Sequence, residues 1–171
     1  MKRLTVVLML VVLLFSAVAC SGDAVPEGMF DAALETADFH LYVPEGWQAM
    51  ENVSGARVAP DEHSANVTVL EYKLTKEYTI ESYWEEECFP SYKSAFDEFA
   101  VETEGEEMTL GGKDALGYVY TYKLGDDTFR VMQVFALKGL DMYVLTYTAL
   151  ADEYDDYTEK VDSIISEFKF K

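Results

Sequence analysis

The chain reads as an α/β protein of the α+β type, an α/β/α sandwich: a twisted, mostly antiparallel sheet with helices on both faces. Three observations predict this. Four apolar segments, at 101–110, 113–123, 128–137 and 141–150, are separated by Gly111-Gly112, Gly125-Asp126 and Gly139-Leu140, the pattern of hairpins joined by tight turns. Two stretches, 79–99 and 152–168, carry apolar residues at spacings of three and four, the period of a helix face. Finally, "FRVMQVFAL" and "MYVLTYTAL" are apolar on both sides of the strand, which requires a layer over each face of the sheet.

Taken in order, the chain opens with Lys2 and Arg3. Leu4 to Phe15 is apolar apart from Thr5, and Ser16, Ala17, Val18 and Ala19 precede Cys20. A positive start, an apolar middle and a small-residue end make a secretory signal. The apolar part is shorter than the ~20 residues of a membrane span. "AVAC" is similar to a lipobox, in which the cysteine after the cut receives lipid on its thiol, although Ala17 stands where Leu is commonest. Residues 1–19 are therefore expected to be a lipoprotein signal peptide, 20–29 the lipidated Cys20 and a polar tether, and 30–171 one domain. The expected location is extracytoplasmic, lipid-anchored to the outer face of the bacterial cytoplasmic membrane. An ordinary signal peptide or an uncleaved anchor would put the domain on the same side. Cys88 is the only other cysteine, so the domain does not rely on disulfides.

Charge narrows the partners. Thirty-two acidic residues face thirteen basic ones, and losing Lys2 and Arg3 with the leader takes the formal charge from −19 to −21. Nucleic acid is excluded as a partner, because neutralising phosphates needs clustered Lys and Arg. An anionic membrane repels such a domain, so the lipid on Cys20 must hold it there.

In the domain, "DAALETA" reads as a short strand. Phe39, Leu41 and Val43 lie on one side of another, which ends at the Pro44-Glu45-Gly46 turn before Trp47. "ARVAP" and "SANVTVLEYKL" form a hairpin around residues 60–63. Over 79–99, Ile80, Tyr83, Trp84, Cys88, Tyr92, Ala95, Phe96 and Phe99 share a helix face, with Glu85, Glu86 and Glu87 mostly opposite. Pro90 must kink that helix or split it in two. In 141–150, Met142 and Val144 face one way and Tyr143, Leu145 and Tyr147 the other. The last helix buries Tyr154, Tyr157, Val161, Ile164, Ile165 and Phe168, with Asp152 as its N-cap. "EFKFK" closes the chain as a short edge strand.

"FHLYVPEGW", the Gly-Gly turn before "ALGYVYTYK", "MYVLTYTAL" and the ending "IISEFKF" together resemble the PsbP-like family, which includes small bacterial lipoproteins. The resemblance spans most of the mature chain. It implies the sandwich fold and a role as an assembly factor or binding module rather than an enzyme. The long amino-terminal arm of the plant photosystem subunit has no counterpart here.

Chemistry-bearing residues are few. His40 and His63 are the only histidines, and no zinc, HExxH or GxSxG pattern is present. Cys88 lies on an apolar stripe beside three glutamates, a setting that discourages a thiolate. Asp152, Glu153, Asp155 and Asp156 are the candidate cation ligands, although a helix start accounts for them equally. Tyr118, Tyr120 and Tyr122 share one face of a strand, either as an interaction surface or as packing beneath a helix. No cofactor motif occurs. The reading is a non-enzymatic extracytoplasmic lipoprotein that binds a protein or envelope component. The alternatives are a small-ligand or divalent-cation carrier and an unrecognised hydrolase.

Overall fold

The computed structural model describes residues 24–60 and 64–171. Cys20 and His63 lie outside them. The strands are β1 (Met29–Asp31), β2 (Phe39–His40), β3 (Tyr42–Pro44), β4 (Gln48–Ala49), β5 (Ser54–Arg57), β6 (Asn66–Lys73), β7 (Asp97–Leu110), β8 (Lys113–Leu124), β9 (Asp127–Lys138), β10 (Asp141–Leu150) and β11 (Lys169–Phe170). Helix α1 (Ile80–Tyr83) runs through a π turn (Trp84–Cys88) into α2 (Phe89–Ala95), and a 3₁₀ turn (Tyr154–Tyr157) precedes α3 (Thr158–Glu167).

Seven strands form one antiparallel sheet in the order β4-β5-β6-β10-β9-β8-β7. The three glycine turns make the expected hairpins, with Gly111, Gly112, Gly125 and Gly139 all at positive φ. Side chains alternate across β10 as predicted. Met142 and Val144 join Trp84, Cys88, Tyr118, Tyr120, Val131 and Phe135 under the helical arm α1–α2. Tyr143, Leu145 and Tyr147 point the other way, into a core with Val67, Val69, Val134, Val161 and Ile164. Helices therefore cover both faces, and the sandwich is the observed fold.

Several local expectations are corrected. "DAALETA" is not a strand beyond Asp31. The Asp31 carboxylate accepts from the Ala33 and Leu41 N–H groups at 3.0 Å each and holds this stretch as a loop. The segment from Phe39 to Pro44 stays outside the main sheet. Its Phe39–His40 half pairs with β11 and its Tyr42–Pro44 half with β1, so the chain's last strand closes a separate ribbon, not a sheet edge. Phe39, Leu41 and Val43 are buried on one side as expected.

The first helix stops at Ala95, and Phe96 is already extended. Phe96 stacks on Tyr122 at 4.2 Å and Phe99 lies 5.3 Å from Tyr120. Phe99 reaches the cluster under the arm from β7 and Phe96 reaches Tyr122 from the end of α2, which is why they mimicked a helical period. Pro90 splits the helix through a wider turn: the Phe89 N–H donates to Trp84 O, five residues back. The wider turn sits just where a regular helix would drive the Pro90 ring into the Glu86 carbonyl. Asp152 does not cap the last helix. No side chain caps the 3₁₀ turn, and α3 follows it directly. The start is fixed instead by Tyr147, whose hydroxyl donates to the buried Tyr154 carbonyl at 2.7 Å.

Candidate functional site

The site is built on the face that carries the helical arm. Trp84 pins the arm to the sheet, stacking on Tyr118 at 4.2 Å with Phe135 edge-on. The ring pair fixes where the arm lies, and it lies over β8, β9 and β10. It stops short of β6. There Leu70 and Tyr72 point to the same face but remain 44% and 42% exposed. They pair across the ladder with Val144 and Met142, which the arm does bury.

Between the arm and this uncovered strip runs a cleft of about 300 Å³. Tyr83, Cys88, Ser91 and Tyr92 form its helical wall, and Leu70, Tyr72, Gln133, Phe135, Val144 and Thr146 form its floor. Gln133 is buried and donates through Nε2 to Thr146 Oγ1 at 3.2 Å. Burial pushes the Cys88 thiol up to about 11; a hydrogen bond with Tyr92 partly offsets this and Glu87 adds to it. At neutral pH the thiol is protonated and poorly nucleophilic. On the other flank of the arm, a wider groove of about 1120 Å³ opens between α1 and the β7–β8 turn, with Glu81, Glu107 and Asp114 beside Ile80, Met108 and Leu116.

The residues singled out from the sequence fall elsewhere. Tyr118 and Tyr120 are 1% and 4% exposed and Tyr122 is half-buried, so this trio is packing beneath the arm and not a surface. Burial pushes Tyr118 up to about 12, with Glu81, Glu104 and Glu85 adding to the effect. Asp152, Glu153, Asp155 and Asp156 do not converge. Asp155 accepts from Arg130, which also binds Glu102 at 2.8 Å. Among the described residues no three His, Cys, Asp or Glu side chains are placed to hold a metal ion.

His40 Nδ1 lies 2.6 Å from Asp31 Oδ2 in the ribbon, across the sheet from Cys88. The two therefore cannot act together. Leu70, Tyr72, Gln133 and Thr146 were missed. The available signal was in "NVTVLEYK", where Val67 and Val69 already supply the buried side and Leu70 and Tyr72 are apolar on the other.

No family model matches the chain, and no curated protein matches it. Solved structures do. LpqN of Mycobacterium tuberculosis, described as involved in cell envelope biogenesis, superposes with a TM-score of 0.62 at 19% identity, over 78% of this chain and 83% of its own. PsbP (CyanoP) from the cyanobacterium Synechocystis gives 0.60 at 12% identity, over 90% and 99%. PA94 from Pseudomonas aeruginosa, a protein of unknown function, gives 0.57 at 14% identity, over 79% and 92%. At these identities the likeness is one of fold, and the fold is PsbP-like. Among the described residues no helix is long and apolar enough to cross a membrane.

Proposed function

We propose that this chain is an extracytoplasmic lipoprotein, tethered through Cys20, whose domain is a non-enzymatic binding or assembly module for a protein or envelope component. One observation carries the reading: Leu70 and Tyr72 form an apolar strip that the helical arm leaves bare beside a tyrosine-lined cleft. Apolar side chains held side by side on a rigid sheet, next to a concavity, suit a partner's apolar anchor. The lipobox-like leader supports the location, and the envelope role of LpqN supports the class of partner.

The test is crosslinking of the tagged full-length chain in its native cells, with Leu70→Glu and Cys20→Ala as comparisons. Leu70 is exposed, so Leu70→Glu should fold normally. One envelope protein should be enriched with the wild-type chain and fall about tenfold with Leu70→Glu, the loss of one apolar anchor. The same proteins at the same yield from all three would rule this surface out.

A further inference from the structure

The two edges of the main sheet differ. The β7 edge is protected: it is fourteen residues long, interrupted by register shifts between Asp97 and Glu106, and it carries Glu98, Glu102, Glu104, Glu106 and Glu107. Such devices prevent edge-to-edge pairing. The other edge strand is the two-residue β4, and inside it β6 is covered by β5 for only part of its length. β5 pairs with β6 only over Asn66–Val69, so Leu70–Lys73 continues beyond its neighbour.

Hydrogen-bond parity shows which groups are left over. The Val58 N–H donates to Ala65 O on the β5 side, and the Leu74 N–H donates to Leu140 O on the β10 side. Carried along the two registers, this turns the backbone of Leu70 and Tyr72 toward β10 and that of Glu71 and Lys73 outward. Among the described residues the outward N–H and C=O groups of Glu71 and Lys73 have no partner, and both residues are exposed. The chain leaves the strand just after Lys73, before it would meet the end of a facing β5.

We infer that β6 pairs with β6 of a second copy of this chain, antiparallel about a two-fold axis at Tyr72. The register is the one the free groups allow. Glu71 of each copy faces Lys73 of the other in a hydrogen-bonded pair, and the two Tyr72 side chains meet in the intervening close pair. The edge is thus complementary to itself in backbone bonds and in charge. Of the carboxylates near the pairing, Glu71 and Asp141 lie 3.8 Å from Lys73. The charged β7 edge lies four strands away in the sheet order, about 19 Å at ~4.8 Å per strand, well beyond the ~8 Å over which charges act at physiological salt. With β7 blocked and the β4 edge only two residues long, pairing at β6 closes as a dimer and does not run on into a fibre. The dimer brings the two Leu70–Tyr72 strips into one continuous apolar surface.

The experiment uses the full-length chain in membranes, with Cys88→Ala to remove the free thiol that lines the same cleft and Tyr72→Cys as a reporter, because cysteines in a close antiparallel pair are within disulfide reach. Mild oxidation should give a disulfide-linked homodimer from Tyr72→Cys, but not from Leu124→Cys, an exposed position on β8, three strands from β6. Adding Glu71→Lys to the reporter places Lys opposite Lys in both pairs and should lower the dimer about tenfold. Adding Lys73→Glu should do the same. Expressed together with different tags, these two charge variants should recover the mixed dimer, since every pair is again opposite in sign. Glu71→Pro removes an outward N–H that the fold does not use and should also abolish the crosslink. Absence of a homodimer, equal yield from Leu124→Cys, indifference to the charge variants, or failure of the mixture would each overturn the pairing. A Tyr72→Cys adduct with another protein alone would assign the edge to that protein's strand. Because Leu70→Glu leaves the backbone edge intact, loss of envelope crosslinks in that variant and loss of this dimer are separate outcomes.

Discussion

Asp31 shows how much one carboxylate organises. Burial pushes its pKa up, but hydrogen bonds from His40, Ala33 and Leu41 outweigh that and hold it below the usual value of 3.8. The sign follows from linkage. Ionised Asp31 stabilises the fold above the unfolded pKa, and the contribution is lost as pH falls through the lower native value. Asp31→Asn should therefore lower stability at pH 7 by about 1–2 kcal/mol in urea denaturation, the range for a charged acceptor with several donors. The difference between the two proteins should shrink as pH falls below about 4. A constant gap from pH 7 to pH 3 would mean that the loop is not held by the charge. The sequence contains Asp31 and His40 nine residues apart, but nothing local to either shows that they meet.

Among the elements, the turn between β7 and β8 carries more than its own hairpin. Gly111 has φ +56, and a Cβ there would come within 2.6 Å of the Phe170 ring and 3.1 Å of Phe168. The turn therefore packs against the ribbon that ends the chain. Gly112, at φ +74, has open space around the same position. Gly111→Ala should cost about 2 kcal/mol or more, from backbone strain and overpacking together, and Gly112→Ala about 1 kcal/mol from strain alone. Thermal unfolding of the two variants side by side checks this; equal losses would show that the ribbon yields freely. Both glycines are readable as a turn from the sequence. The difference between them is not, because Phe168 and Phe170 lie more than fifty residues further on.

For the molecule as a whole, the dominant quantity is charge. With thirty-two acidic and thirteen basic residues, the folded chain repels itself at neutral pH. The melting temperature should rise by several degrees between about 20 mM and 500 mM sodium chloride, as the Debye length shrinks from roughly 20 Å to 4 Å. A flat response would mean that the acidic residues are already far enough apart to ignore one another. The glycine hairpins, the two-sided β10 and the final helix stripe were all legible in the sequence, because each rests on neighbours two to four residues apart. The place of Phe39–Pro44, the pairing of β11 and the end of the first helix were not. They depend on strand partners outside the local window, in β1 and in β11 at the far end of the chain, or on rings that enter one site from different elements. The candidate surface belongs to this second group. The residues of β6 determine by themselves that Leu70 and Tyr72 share a side. Only the tertiary structure decides that this side is bare, because that depends on where the Trp84–Tyr118 stack stops the helical arm and on how soon β5 ends.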